Sequence, residues 1–359
     1  MAINLNLGVD RGNTRSNFAA IIDGNRIVEL DASSMVATGN IEKVKKVMSG
    51  TGGSLDLAAA DYVVEHEGMT YLLSDLAIEQ GVKPTTGIGD KTRYYSKHTK
   101  IALMAYADIL ARKMYPGHSF SEITANIVMG VPFNVYLTQE KAIVDQLLGS
   151  YDFLHNNREM KLNIDSVKVF MEGAGAAIYH GLDKDGIVGV VDTGSLDSKI
   201  LRFDGTRPNV DKCDSFDIGI HSALQIVSER VNSKHGRPLS DKEQQLLLHA
   251  SIGRGPLPAV YVDSIQIPGD ILFEYMRAAI AEIGGERNSR IASKWSELGG
   301  IASDFKKVLH VGGGAYYLHQ SLQTIIKGAQ ILPDAEKVNA RGNAIIANQI
   351  GQRKAAKRA

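Results

Sequence analysis

The chain has 359 residues, 44 % of them apolar and 22 % charged, a composition that excludes a disordered or collagen-like polypeptide and leaves length for two or three domains. Lys and Arg number 40, as do Asp and Glu, so the formal charge is zero, which argues against a surface built for direct contact with nucleic acid or anionic lipid. Cys213 is the only cysteine, which excludes an intrachain disulfide or thiolate zinc cluster and favours a reducing, cytoplasmic setting, and no apolar run approaches the ~18 residues of a membrane-spanning helix.

Residues 1–10 read as a buried first strand without the basic leader of a signal peptide. The stretch Gly8-Val9-Asp10-Arg11-Gly12-Asn13-Thr14-Arg15-Ser16 then leads to a second apolar strand over 18–22 and to an Asp23-Gly24 turn. Asp-Gly between apolar runs is a strong hairpin signal, because both turn residues tolerate positive φ. Residues 31–91 are irregular and glycine-rich, with a loop at Thr51-Gly52-Gly53-Ser54 and a small hairpin, 62–65 and 69–73, about Glu67-Gly68. Asp90-Lys91-Thr92-Arg93-Tyr94-Tyr95 reads as a solvated loop before a helix over 96–114, which stops ahead of Pro116-Gly117. A strand over 123–129 enters Gly130-Val131-Pro132, a helix covers 137–149, and a strand over 167–170 enters Met171-Glu172-Gly173-Ala174-Gly175-Ala176-Ala177, the start of a helix of small residues. Glu172 sits where open α/β sheets place their chemistry. It could orient or deprotonate an attacking water, or simply favour the helix dipole.

The opening pattern then returns 182 residues on, as Val190-Val191-Asp192-Thr193-Gly194-Ser195-Leu196-Asp197-Ser198, and after a one-residue gap a strand over 200–203 and Asp204-Gly205. Asp10 aligns with Asp192, Gly12 with Gly194, Asn13 with Ser195 and Ser16 with Ser198, which predicts a doubled architecture with three antiparallel strands opening each half. In each copy the glycine brings bare backbone close to whatever lies above it, and successive N–H groups of such a turn make an anion-binding nest. A strand-end carboxylate beside such a nest makes sense when a divalent cation such as Mg²⁺ lies between acid and phosphate; otherwise Asp-x-Gly merely closes a turn. After Asp214-Ser215-Phe216-Asp217-Ile218-Gly219 come a helix near 221–230, a polar stretch over 232–242 and an apolar helical segment. A strand over 260–267 and a helix over 270–283 follow. Lys307-Val308-Leu309-His310-Val311 is a buried strand entering Gly312-Gly313-Gly314-Ala315, a turn suited to backbone approach to a flat ring or phosphate, or a plain strand-to-helix turn. The ten histidines show no pair at ligand spacing, so no transition-metal site is expected, and the basic tail 353–358 reads as a frayed helix end.

This ordered set resembles the actin/Hsp70/sugar-kinase superfamily and, within it, the bacterial actin-like plasmid segregation proteins of the ParM type. The resemblance rests on the two hairpins, 128–136, Glu172-Gly173-Ala174-Gly175-Ala176, 215–219, Val311-Gly312-Gly313-Gly314-Ala315 and the late Val338-Asn339-Ala340-Arg341-Gly342-Asn343-Ala344. It implies an α/β, actin-like fold of two similar lobes, each with a mixed five-stranded sheet and flanking helices. The lobes would span 1–182, with an insertion near 31–95, and 183–359, with an insertion near 221–275. A nucleotide, ATP or GTP, would lie in the cleft. Asp10 and Asp192 would hold Mg²⁺ mainly through water, and Glu172 would position the hydrolytic water. Gly12, Asn13, Thr14 and Arg15, with Gly194, Ser195, Leu196 and Asp197, would face the phosphates, and Gly219 and Gly312, Gly313, Gly314 and Ala315 would border the nucleoside. The implied activity is a Mg²⁺-dependent nucleoside triphosphatase coupled to head-to-tail polymerisation in the bacterial cytoplasm. Its filaments would move plasmid DNA through a ParR-like DNA-binding adaptor. A small-molecule kinase or a non-filamentous nucleotide-binding scaffold of the same fold are the alternatives. The chain departs from the family pattern at Asn17, where a lysine is usual, leaving Arg15 or a lysine elsewhere to provide the charge. It departs again at Asp197 and Ser198, where threonine is usual.

Overall fold

The computed structural model describes residues 2–22, 26–39, 62–79, 91–262, 264–297, 300–301 and 304–358. The expected turn at Asp23-Gly24, the loop at Thr51-Gly52-Gly53-Ser54 and Asp90 lie outside them. The chain forms two compact units, Met1–Gly181 with Glu336–Ala359, and Leu182–Ala335.

In the first unit, β1 (Ala2–Arg11), β2 (Arg15–Ile22) and β3 (Arg26–Ser33) form the expected antiparallel run. They are followed by β4 (Val36–Gly39), β5 (Val63–His66), β6 (Met69–Leu73) and the short α1 (Ser74–Glu79). A 3₁₀ turn, Lys91–Tyr95, leads into α2 (Lys97–Met114), which starts where the Ser96 hydroxyl accepts from the Thr99 amide. Helix α2 is apolar nearly all round and accordingly buried. Its one buried acid, Asp108, accepts from Arg112, Arg158 and His155; although burial pushes this carboxyl up, those partners hold it below the usual range. Then come β7 (Glu122–Val131), α3 (Phe133–Leu147), β8 (Gly149–His155), β9 (Arg158–Met171) and α4 (Ala174–His180). The sheet order is β3-β2-β1-β7-β9-β8-β5-β6-β4, with β1, β7 and β9 parallel. The five strands from β3 to β9 are the mixed sheet expected from the resemblance, and the hairpin from the insertion extends it. Strand β8 replaces the end of the helix expected over 137–149. It pairs antiparallel with β9, whose length exceeds the expected 167–170 because its N-terminal half alternates polar and buried residues.

The second unit begins with β10 (Ile187–Thr193), β11 (Ser198–Asp204), the two-residue β12 (Arg207–Pro208) and β13 (Asp214–Phe216). Next are α5 (Ile220–His235), α6 (Asp241–Ser251), the small hairpin β14 (Tyr261–Val262) and β15 (Ile265–Gln266), and α7 (Gly269–Trp295). The ladder β16 (Ser296–Glu297) with β17 (Gly300–Ile301), then β18 (Phe305–Val311), α8 (Ala315–Ile325) and β19 (Ala329–Ile331) complete it. Its sheet runs β12-β11-β10-β18-β19, with β13 added along β11 and with β10, β18 and β19 parallel. The strand expected over 260–267 is instead the hairpin β14–β15, and α7 runs past its expected end at 283. Gly284-Gly285 does not break α7, because Gly284 is where this helix meets Ser321 of α8.

The last element, α9 (Val338–Arg358), belongs to the first unit, not to the second half where the sequence reading places it. Its basic end is not frayed: Lys354 donates to the Asp165 carboxylate at 2.8 Å and to Asn126 Oδ1 at 3.1 Å. Among the described residues, no helix is long and apolar enough to cross a membrane.

Candidate functional site

In the first unit the parallel strands β1, β7 and β9 end side by side: Asp10 pairs with Gly130, and Val131 with Met171. Asp10 and Glu172 are thereby brought to one edge of one sheet, 162 residues of sequence apart collapsed by two ladder steps. A side chain at Gly130 would stand 3.5 Å from the Glu172 Cγ and 3.3 Å from the Asn343 amide nitrogen, so glycine keeps that edge open. Glu172 is buried, its amide donates to the Val131 carbonyl at 2.7 Å, and Tyr94 donates its hydroxyl proton to Glu172 Oε1 at 3.2 Å. The Arg93 guanidinium in turn donates to the Tyr94 hydroxyl. The loop expected to be solvated therefore carries two buried side chains, Tyr94 in contact with the candidate catalytic acid and Arg93 behind it on the Tyr94 hydroxyl. Sequence reasoning missed Tyr94, whose only local signal is an aromatic pair just before a capped helix.

Helix α4 starts from Gly173 at φ 93°, and Asn339 Oδ1 of α9 accepts from the amides of Gly173 and Ala176, both at 3.2 Å. Asn343 donates to the Val9 carbonyl at 2.9 Å. The Val338–Ala344 signature thus holds the Glu172 turn and the β1 strand end together. In the hairpin turn itself, a side chain at Gly12 would collide with the Arg15 carbonyl. Ser34 binds the turn from below, its hydroxyl donating to the Gly12 carbonyl at 2.8 Å and its amide to Thr14 at 2.9 Å. Asn13 and Thr14 are half-buried, and the Asn13 Oδ1 is buried without a hydrogen-bonding partner. Arg15 lies on the surface in an ion pair with Asp31 at 2.8 Å. Asn17, opposite Asp10 in the ladder, donates to the Glu336 carbonyl at 2.9 Å.

In the second unit Asp192 is buried at the carboxyl end of β10, paired with Val311 at the end of β18. The Gly194 amide donates to the Asp197 carbonyl at 2.8 Å and closes the Gly194-Ser195-Leu196-Asp197 turn. Two helix starts brace it. On one side the amides of Ile220 and His221 donate to the carbonyls of Gly194 and Ser195, at 3.2 and 2.7 Å, and a side chain at Gly219 would come within 2.6 Å of Leu196. On the other, Gly314 donates to the Thr193 carbonyl at 2.8 Å, and Gly312, at φ 83°, clears the Asp192 carboxylate. Gly313 is different, because a side chain there would meet nothing within 4 Å, so packing does not require its bareness. Ala315 is buried as the first residue of α8.

The candidate residues of the two hairpins therefore lie in two similar, braced strand-end turns, with Glu172 at the β9–α4 turn beside the first and Gly219 and residues 312–315 at the helix starts that brace the second. The donor set of each is hard oxygen, which suits Mg²⁺. Among the described residues no three His, Cys, Asp or Glu gather to hold a metal, so either aspartate could bind Mg²⁺ only with water or ligand oxygens completing the shell.

Residues 8–175 match the family described as the N-terminal domain of actin-like proteins. Among solved structures, the chain is similar to the archaeal actin homologue Ta0583, at 17 % identity over 97 % of this chain and 99 % of that one with a TM-score of 0.73. It is similar to the ParM of a 15-stranded filament from Clostridium botulinum, at 17 % identity, 97 % and 99 % coverage and a TM-score of 0.72. Bacillus thuringiensis ParM with AMPPNP matches at 14 % identity, 97 % and 99 % coverage and a TM-score of 0.67. No curated protein sequence matches the chain. The chain has the actin-like fold, and within it residues 8–175 match the N-terminal domain of actin-like proteins.

Proposed function

We propose that this actin-like protein is a nucleotide-driven filament protein of the ParM type. It binds ATP or GTP with Mg²⁺ at its two hairpin turns, polymerises head to tail, hydrolyses the nucleotide, and segregates plasmid DNA through a ParR-like DNA-binding adaptor. The observation that carries this reading is the doubling: two aspartate-ended strands, each followed by a glycine turn held rigid by its neighbours, with one buried glutamate held by a tyrosine beside the first. In support, Ta0583 has been solved with ADP, a Bacillus ParM with AMPPNP, and a Clostridium ParM as a filament.

Asp10 and Asp192 would hold Mg²⁺ mainly through water, and when bound the ion supplies charge neutralisation on the phosphates. The turn backbones orient the phosphates. Glu172, its rotation set by Tyr94, orients the attacking water and takes its proton as the water oxygen bonds to the γ-phosphorus; the bond from that phosphorus to the β–γ bridging oxygen breaks, the nucleoside diphosphate leaves, and the proton passes on to the released phosphate. Head-to-tail contacts whose rotation does not close produce open helical polymers.

The test is Mg²⁺-dependent pelleting and phosphate release with ATP and with GTP, on the wild type and on Glu172→Gln. The expected result is nucleotide-dependent pelleting by both proteins, with phosphate release lowered about 100-fold or more in the variant and nucleotide affinity retained. A wild type that stays monomeric at high concentration with either nucleotide overturns the filament reading.

A further inference from the structure

We propose that Lys199 is a phosphate-binding residue of the second hairpin, and that Asp197 is its built-in competitor, pairing the ammonium until a polyphosphate takes it. The inference rests on the nucleotide reading above and adds to it a residue and a mode of recognition.

The two hairpins pair their strand-end acids with different partners. Across the first ladder Asp10 faces Asn17, a neutral amide engaged with the Glu336 carbonyl. Across the second, Asp192 faces Lys199. The Lys199 side chain is only 7 % exposed, and its Nζ donates to Asp197 Oδ1 at 2.8 Å. An ammonium buried in a strand is costly even when paired, and an apolar side chain of similar size would serve packing as well or better. Both charged groups stand over the turn. A side chain at Gly194 would lie 3.1 Å from Asp197 Oδ1 and 3.6 Å from Lys199 Nζ, so glycine leaves the ammonium facing the bare turn backbone. Asp192 and Asp197 bring two carboxylates to this short turn, and a polyphosphate approaching it meets like charge unless a cation is turned toward it. Lys199 is the cation in place. Arg15, the basic residue of the first turn, is drawn to the surface by Asp31.

The experiment measures calorimetric binding of Mg-ATP, Mg-GTP and tripolyphosphate, a probe without a base, to wild type, Lys199→Met, Lys199→Arg and Asp197→Asn, with circular dichroism reporting the fold. Loss of one charge-assisted contact to phosphate predicts binding weakened about 10- to 100-fold in Lys199→Met, for the better-bound nucleotide and for tripolyphosphate alike. Lys199→Arg restores most of the affinity. Asp197→Asn binds as tightly as wild type or more tightly, because the competing carboxylate is gone. If the pair is only a staple of the turn, Lys199→Met and Asp197→Asn weaken binding equally, and the proposal fails. Unchanged binding in a folded Lys199→Met also overturns it, while leaving the nucleotide reading intact. Should Lys199→Met not fold, the opposed predictions for Asp197→Asn decide. A wild type that binds neither nucleotide removes the nucleotide reading and this inference with it.

Discussion

Among the described residues, the guanidinium groups of Arg11 in the first unit and Arg287 in the second are deeply buried, and each is held by neutral acceptors. Arg11 donates to Thr99 Oγ1 at 3.0 Å, Ser16 Oγ at 3.1 Å and the Ser34 carbonyl at 3.2 Å, and burial pushes it down to about 10. It ties the first hairpin turn to the strand and helix beneath. Arg287 donates to Thr193 Oγ1 at 3.1 Å and the Leu318 carbonyl at 3.0 Å, and burial pushes it down to about 9. His310 Nε2 lies 3.0 Å from the same Thr193 hydroxyl. Burial above all, then Arg287 and His319, holds the His310 imidazole neutral well below its usual range. The pH dependence follows: the unfolded imidazole takes a proton near 6.5 and the folded one does not, so stability is lost as pH falls below that value, by up to ~1.4 kcal/mol per pH unit. Urea denaturation at pH 7.5, 6.5 and 5.5 should show a steeper acid loss in wild type than in His310→Asn; equal slopes would contradict the assignment. The sequence shows His310 inside a buried strand, but Arg287 and His319 reach it only through the fold.

At the scale of elements, the first unit depends on a crossing of backbones. Helix α9 lies so close to β1 and α4 that a side chain at Gly8 would enter the Ala340 and Ala344 backbone, and one at Gly342 would come within 2.7 Å of the Gly175 Cα and collide with its carbonyl. Nothing flexible can yield there. Gly342→Ala should therefore cost about 3 kcal/mol or more. Gly285, also within a helix, is exposed, with open space where a side chain would go, so Gly285→Ala should stabilise by about 0.5–1 kcal/mol. Denaturant midpoints of the two variants should move in opposite directions. The small residues of 173–177 and 338–344 mark tight packing in the sequence, yet their spacing does not say that each is the other's partner.

For the whole molecule, the boundary near residue 181 and the return of α9 determine what can fold alone. Residues 182–335 are continuous and carry their own apolar clusters, one among α5, α6 and α7 and another about Trp295, Val191 and Val308. Expressed alone, this segment should be helical by circular dichroism and unfold cooperatively. Residues 1–181 lack the helix that caps α4 through Asn339 and binds the Val9 carbonyl through Asn343, and should fold only when 336–359 is added back. Cooperative unfolding of 1–181 by itself would refute that dependence.

The order of elements, the paired Asp-x-Gly hairpins and the strand-to-helix turns at Glu172 and Gly312 were legible in the amino-acid sequence, because each is encoded by spacing and turn chemistry within a dozen neighbouring residues. The return of the last helix to the first unit, the Tyr94 bond to Glu172, the extra strand β8 and the facing of Asp192 by Lys199 were decided by tertiary structure. Those contacts join residues that are distant along the chain or differ only in ladder register, and local pattern carries no record of which surfaces meet.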